Sequence, residues 1–287
     1  MRDIPVPQRV MDIKRKRRIR RLRVLFIFII LFLFIVGGSA YFSFNKKISI
    51  NKVVVDGVSI INESDVVTEV EKQLIGKYFY LYNKGNSFLY PKKKIYDHLV
   101  LSFPRIEELS IIRENLNVIN IKIKERLGSY LYCGSLVPEV PSEIGENCYF
   151  VNNDGYIFDK APYFSGDVYF KFYLPIEDQS KPLGQSIINI DRFHELVRFV
   201  DGVASLNFKP ILLVIKDDGS HSLYLKHESL ATSPVILFRE DNDLENILSN
   251  LGTAMNKKEF SEEINSKYNS LLYIDLRFKN KVLYKFQ

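Results

Sequence analysis

From Val24 to Val36 every residue is apolar, and the run continues through Gly37, Gly38, Ser39 and Ala40 to Phe42 without a charge. As a helix, this stretch reaches about 28 Å at about 1.5 Å per residue, enough to cross a bilayer core. Downstream the period changes. Ile48–Val58 alternates and is β-branched, predicting a strand closed by Asp56-Gly57. Asn62 and Asp65 form a capping pair ahead of Val66, Val67, Val70 and Leu74, which share one helical face, and Gly76 stops that helix. Tyr78–Tyr90 is an aromatic-rich connector. Pro91 opens a second helix with Ile95, Leu99 and Ser102 on one face, and Phe103-Pro104 ends it. Ile106–Glu114 and Val118–Glu125 alternate again and are joined around Asn115 and Asn117. The order over residues 48–126 is β-α-α-β-β, a small three-stranded sheet carrying two helices.

Residues 127–287 are richer in strands. Leu127–Cys133 and Cys148–Asn152 read as strands, with a loop holding Pro138, Pro141 and Gly145 between them. Asn153-Asp154-Gly155 is a tight hairpin signal before Tyr156–Phe158. Asp191–Val200 is a helix with Phe193, Leu196, Val197 and Val200 on its apolar face. Ile211–Ile215 and Ser222–Lys226 flank a second hairpin signal, Asp217-Asp218-Gly219, and Val235–Phe238 is a short strand. Leu244, Ile247, Leu248 and Leu251 return to helical spacing, and Leu271–Phe278 and Val282–Phe286, joined at Asn280, form a last hairpin. The predicted class is α+β: a single transmembrane helix, the β-α-α-β-β domain, then a β-rich mixed domain with two or three helices.

Charge changes the picture at one end only. The chain has 40 Lys+Arg against 34 Asp+Glu, net +6, but residues 1–23 hold ten of those cations and two acids. That local +8 leaves −2 for residues 24–287, which speaks against a broad phosphate-binding surface and against nucleic acid as a partner. Eight of the ten residues from Lys14 to Arg23 are basic, whereas only Asn45, Lys46 and Lys47 follow the apolar span. By the positive-inside rule, residues 1–23 are then a cytoplasmic tail, 24–44 an uncleaved signal anchor, and everything from about residue 45 is exported. The competing reading is a cleaved signal peptide with residues 24–36 as its apolar stretch. Gly38 and Ala40 make a poor cleavage site for it, and its leader would be unusually long.

Candidate chemistry is sparse. The chain has four histidines. His194-Glu195 lacks the second histidine of a zinc helix, because Arg198 stands there. His221 and His227 share a parity and read as exposed strand histidines. No Gly-x-Ser-x-Gly elbow occurs, and Gly76-Lys77 is followed by Tyr78 where a phosphate loop needs Ser or Thr. Asp217, Asp218, Asp241 and Asp243 read as turn and cap residues. The expectation is a non-enzyme with no cofactor, no metal and no small-molecule substrate. In an exported domain Cys133 and Cys148 are either a disulfide, stabilising by about 3 kcal/mol through closure of the intervening loop, or two buried thiols.

Several motifs carry a resemblance. Ile50–Gly57 looks like an Ile-x-x-Val-x-Val-x-Gly opening strand. Phe103-Pro104-Arg105-Ile106, Ile112-Arg113 and Val118–Arg126 look like a Leu-Pro-Trp-Val … Val-x-Arg … Leu-x-Ile-x-Val-x-Glu-Arg stretch. Cys148–Phe158 is similar to a strand–Asp-Gly–strand unit, and Tyr273–Phe278 to a terminal Val-Asp-Leu-Arg-Tyr motif. In this order behind an anchor, the chain resembles the bacterial cell-division family FtsQ/DivIB. It departs at Arg105, where the family has Trp, and at Glu114-Asn115-Leu116 in place of its Trp-Pro turn. The resemblance implies a POTRA domain over residues 48–126 and an FtsQ-like β-domain over 127–287. It also implies a non-enzymatic divisome scaffold in the cell membrane at the septum, helping to regulate septal peptidoglycan synthesis. FtsB/FtsL-type partners would then add a strand at the C-terminal sheet edge, with Arg277 as a charged contact and Phe278, Val282, Tyr284 and Phe286 as apolar and aromatic contacts. Asp275 reads as structural. Two other classes compete: a POTRA-bearing assembly or secretion factor, which carries a membrane β-barrel, and an anchored envelope hydrolase pairing His221 with Asp217 or His227 with Glu228.

Overall fold

The computed structural model describes residues 8–137, 147–164 and 167–287. Residues 1–7 of the basic tail, and the loop carrying Pro138, Pro141 and Gly145, lie outside the described residues. Helix α1 (Gln8–Ser43) contains one stretch, Arg18–Ser43, long and apolar enough to cross a membrane, and its apolar side chains from Leu25 to Ile35 are exposed. The chain divides into two compact units. One comprises residues 1–100 and 108–124, the other residues 101–107 and 125–287.

In the first unit the elements after α1 are β1 (Lys52–Asp56), α2 (Glu63–Leu74), β2 (Lys77–Tyr78), β3 (Tyr82–Asn83), α3 (Lys92–Ser102), β4 (Ile106–Arg113) and β5 (Val118–Glu125). The sheet order is β1-β5-β4, with β1 parallel to β5, so the first and last strands lie side by side. Asn62 starts α2 by accepting from the Ser64 N–H at 3.1 Å, and Gly76 follows the helix at φ +107°, a conformation that glycine adopts without a Cβ clash. Val66 and Val70 of α2, Ile95 and Leu99 of α3, and Ile119 and Ile121 of β5 have no solvent exposure. Three details differ from the sequence pattern. The first strand begins at Lys52, because Lys46–Ile48 is a 3-10 turn capped by Asn45. Ser102 is exposed. The connector over Tyr78–Tyr90 contains a hairpin, β2 against β3, pairing Lys77 with Asn83 and Tyr78 with Tyr82.

The second unit is built on β6 (Tyr130–Tyr132), β7 (Tyr149–Val151), β8 (Ile157–Lys160), β9 (Phe170–Tyr173), β10 (Pro210–Ile215), β11 (Ser220–Leu225), β12 (Val235–Arg239), β13 (Leu271–Asp275) and β14 (Leu283–Phe286). Helices α4 (Ile190–Ser205), α5 (Leu244–Met255) and α6 (Lys258–Ser266) complete it. The nine strands form one mixed sheet in the order β14-β13-β12-β11-β10-β9-β6-β7-β8. Alternation along the strands divides their side chains between two faces. Phe172, Leu213, Leu223, Leu225, Ile236 and Ile274 join the main core with Phe193, Leu196, Phe199 and Val203 of α4, Ile247 and Leu251 of α5 and Ile264 of α6. Tyr173, Leu212 and Val214 form a smaller cluster apart from that core, and Leu131, Cys148 and Ala161 another. Two elements were not predicted from the pattern. β9 is four residues long, too short for its alternation to stand out, and α6 (KEFSEEINS) buries Ile264 alone.

Cys133 and Cys148 are joined in a disulfide that touches both smaller clusters. Reducing it is expected to lower the unfolding free energy by about 3 kcal/mol through the freed loop. Denaturant unfolding with and without reductant measures this, and coincident curves would contradict a stabilising bridge.

Candidate functional site

The C-terminal hairpin is organised by one ion pair. Asp275, only 4% exposed at the end of β13, accepts from the Arg277 N–H at 3.0 Å, from Nε at 2.9 Å and from Nη2 at 2.6 Å. Burial pushes this carboxyl up, but the bonds from Arg277 outweigh it and leave it below the usual carboxylate value. One residue on, the Leu276 N–H bonds to Leu237 O at 2.8 Å, which holds the exit from β13 against the end of β12. The turn closes through Asn280 at φ +57°, a left-handed position that asparagine tolerates.

β14 then runs antiparallel to β13 as the outermost strand of the sheet, with Ile274 opposite Tyr284 and Asp275 opposite Leu283. The Gln287 N–H bonds inward to Ser270 O at 2.8 Å. Backbone direction alternates along a strand, so the N–H and C=O groups of Tyr284 and Phe286 point outward, away from β13. Among the described residues no further strand pairs with that flank.

Helix α6 supports one face of the ribbon. Tyr284 stacks edge-on against Phe260 at 5.1 Å and donates its hydroxyl to Glu263 Oε2 at 2.8 Å; Lys267 lies over the Phe286 ring at 5.3 Å and bonds to Glu263 Oε1 at 2.9 Å. The Lys267 ammonium and then the Tyr284 hydroxyl hold the Glu263 carboxyl below its ordinary value. Val282 and Phe286 pack on the main core as half-buried side chains.

The five expected contact residues therefore divide. Phe278, 51% exposed, is in the connection, because β13 stops at Asp275; it is not on a strand. Arg277 is committed to Asp275. Tyr284 and Phe286 present outward backbone while their rings lean on α6, and Val282 is half-buried. Leu283, 45% exposed, and Lys285 fall at the alternate positions and face away from those rings. Sequence reasoning missed both, although the strand's two-residue period could have identified them.

His221 corrects the expectation of an exposed strand histidine: it is 2% exposed, edge-on to Phe238 at 5.0 Å, and its Nδ1 has no hydrogen-bond partner. His227 is half-buried and bonds to Thr232 Oγ1 through Nδ1 at 2.7 Å. Asp218 accepts from the Ser220 N–H and Oγ, and Asp243 caps α5 through the Glu245 and Asn246 N–H groups. A cleft of about 460 Å³ between α4 and α5 is lined by Arg192, Glu195, Asp243 and Glu245, of which Arg192 bonds to Glu195 and to Glu240 O. Among the described residues no group of three or more His, Cys, Asp or Glu side chains is placed to hold a metal ion. No model of a known protein family matches the chain, and no curated protein matches it.

Two outcomes follow from these environments. Truncating Arg277→Ala removes the two guanidinium donors and leaves the buried Asp275 carboxylate with only the backbone N–H of residue 277, and is expected to cost about 1–3 kcal/mol. Equal denaturation midpoints for wild type and variant would show that the pair does not organise the ribbon. Burial holds His221 below the ordinary imidazole value, with Arg192, Glu240 and Asp218 as its charged neighbours. The unfolded chain takes up a proton as pH falls through about 6.5 while the folded ring resists, so stability is lost from there downward. His221→Phe should flatten the fall in melting temperature between about pH 7 and about pH 5 relative to wild type. An unchanged slope would put the acid sensitivity elsewhere.

Proposed function

We propose that this chain is a membrane-anchored, non-catalytic scaffold of the bacterial division machinery, of the FtsQ/DivIB kind, with α1 as its single span. The first unit after α1 is its POTRA domain, and the nine-stranded unit is its partner-binding β-domain. The reading is supported first by the motifs from Ile50 to Phe278, and then by the position of β14. A terminal strand with one unpaired flank, braced from behind by α6 and carrying exposed Leu283 and Lys285, is suited to receiving an extended segment. Main-chain bonds from Tyr284 and Phe286 would supply affinity, and the alternate side chains would set the register. The partners on this reading are FtsB/FtsL-type coiled-coil proteins, and the place is the septum, with the bulk of the chain outside the cytoplasm.

Neither alternative gains support. The nine-stranded sheet is open, with two ends, β8 and β14, and is not itself the closed membrane barrel that an assembly factor uses. A hydrolase built on His221 would use a ring buried against Phe238, and one built on His227 a ring already bonded to Thr232.

The full chain, co-expressed with the FtsB/FtsL-type proteins of its own cell and extracted in mild detergent, is expected to bring both down. Removing residues 282–287 is expected to abolish capture. Undiminished capture by the truncated chain would reject strand addition at β14, and a fluorescent fusion that never gathers at the septum would reject the division reading itself.

A further inference from the structure

The first unit exposes a second group of large apolar side chains that no partner strand explains. At the tip of the β2–β3 hairpin, Phe79 and Tyr80 are 88% and 94% exposed, flanked by Ile75 at 73% and Leu81 at 47%. Both tip residues have positive φ, +47° and +62°. Bulky side chains are disfavoured in the left-handed region, and here that backbone turns both aromatic rings toward solvent.

What fixes the hairpin is the end of α1. The Tyr82 hydroxyl lies 2.9 Å from Ser39 Oγ, the Asn83 N–H donates to Ser43 Oγ at 2.8 Å, and Asn86 Nδ2 donates to Ser43 O at 3.1 Å. A span that starts at Val24 and needs about 20 residues reaches the edge of the hydrocarbon core near Ser43. Ser39 is one helical turn inside that edge, about 6 Å at about 1.5 Å per residue. A hairpin bonded at Ser39 and Ser43 is therefore held at the level of the lipid boundary. Between hairpin and helix lies an apolar groove of about 670 Å³ lined by Phe42, Ile48, Tyr78, Phe79, Phe88 and Leu89. Lysines edge it: Lys77 sits over the Phe44 ring at 5.2 Å and Lys84 over Tyr78 at 5.7 Å, with Lys46 and Lys47 just beyond α1. Aromatic rings with an outer set of lysines match the interface between acyl chains and anionic headgroups.

We propose that the β2–β3 hairpin is a second membrane anchor, inserting Phe79 and Tyr80 into the outer-face leaflet of the bilayer that α1 crosses. The proposal rests on the reading of α1 as a span. Burying each ring in the interface offsets its backbone strain, since removing apolar area from water is stabilising. With two attachments, α1 and the hairpin tip, the first unit has a fixed attitude to the membrane; one flexible tether would give it none.

The chain contains no tryptophan, so a single introduced one is a unique reporter. Full-length Phe28→Trp, Phe79→Trp and Ile60→Trp are reconstituted separately into phosphatidylethanolamine–phosphatidylglycerol vesicles, with and without brominated acyl chains. Phe28 is in α1, and Ile60 lies in the bend between β1 and α2. Phe79→Trp is expected to emit further to the blue than Ile60→Trp and to lose several-fold more of its emission to brominated lipid. Phe79→Trp quenched no more than Ile60→Trp, beside a quenched Phe28→Trp, leaves the span standing and removes the hairpin anchor. A blue-shifted Phe79→Trp untouched by bromine means burial in protein and also overturns the proposal. An unquenched Phe28→Trp removes the span, and the hairpin anchor with it.

Discussion

Each backbone N–H and C=O in a sheet needs a partner, and an open sheet runs out of partners at its two outer strands. In the nine-stranded unit those strands are β8 and β14, and they are finished differently. β8 is covered at its first residue by its own chain: Gly184 N–H bonds to Ile157 O, and Ile157 N–H to Gln185 O. The Arg105 guanidinium also binds Asp159 on that strand. Among the described residues, β14 receives no such cover on its outer flank. It is instead held from within, by Asp275 with Arg277 at the start of the turn, by Gln287 to Ser270 at the far end, and by Phe260 and Glu263 of α6 and Lys267 just after it behind two of its rings. A strand that is rigid and unpaired has already lost the conformational freedom that a docking peptide would otherwise have to remove, which is where affinity is gained without added contact area.

How much of this could be read from the residues depended on how local the cause was. Caps and turns carry their own chemistry, so Asn62 before α2, Asp243 before α5 and Asn280 in the last hairpin were legible one residue at a time. Long periodic segments such as β5 and α4 were legible as well, although α4 runs on to Ser205 and so adds Val203 to its buried face. The misses share a different origin. The shared parity of His221 and His227 points to exposed strand histidines, but parity does not show that both faces of a central strand are covered. β9 is placed by two parallel neighbours distant in sequence, and α6 by a hairpin that follows it. At the edge itself, the motif pointed to Arg277 and Phe278, and only the coordinates show that the first belongs to Asp275 and the second to the loop.

Exposed apolar side chains in this protein fall mainly at three places, and each has its own physical cause. On α1 they extend around a helix with little protein against it, as a membrane span requires. At the β2–β3 tip they are held out by strained backbone bonded to the end of α1. On the terminal hairpin the neighbouring Leu283 and Tyr284 are both exposed, on opposite faces of the strand, while Phe286 is drawn half under Lys267. Scattered surface leucines would show none of these regularities, and dispersed single exposures are ordinary.

An unpaired edge also attracts copies of itself, and the charge pattern of the terminal ribbon acts against that. No acidic side chain occurs between Asp275 and Gln287, while Lys279, Lys281 and Lys285 are all exposed; Arg277 is neutralised by Asp275. Two such ribbons laid edge to edge would meet with Lys285 on each strand, Lys279 and Lys281 in each turn and no acidic side chain to pair with them, and like charges brought close are destabilising. The same lysines favour an incoming strand that carries carboxylates. If β14 receives a strand as proposed, its backbone would pair with any extended chain, while its lysines would disfavour a second copy and favour an acidic partner, leaving choice of partner to side-chain charge and strength of binding to the main chain.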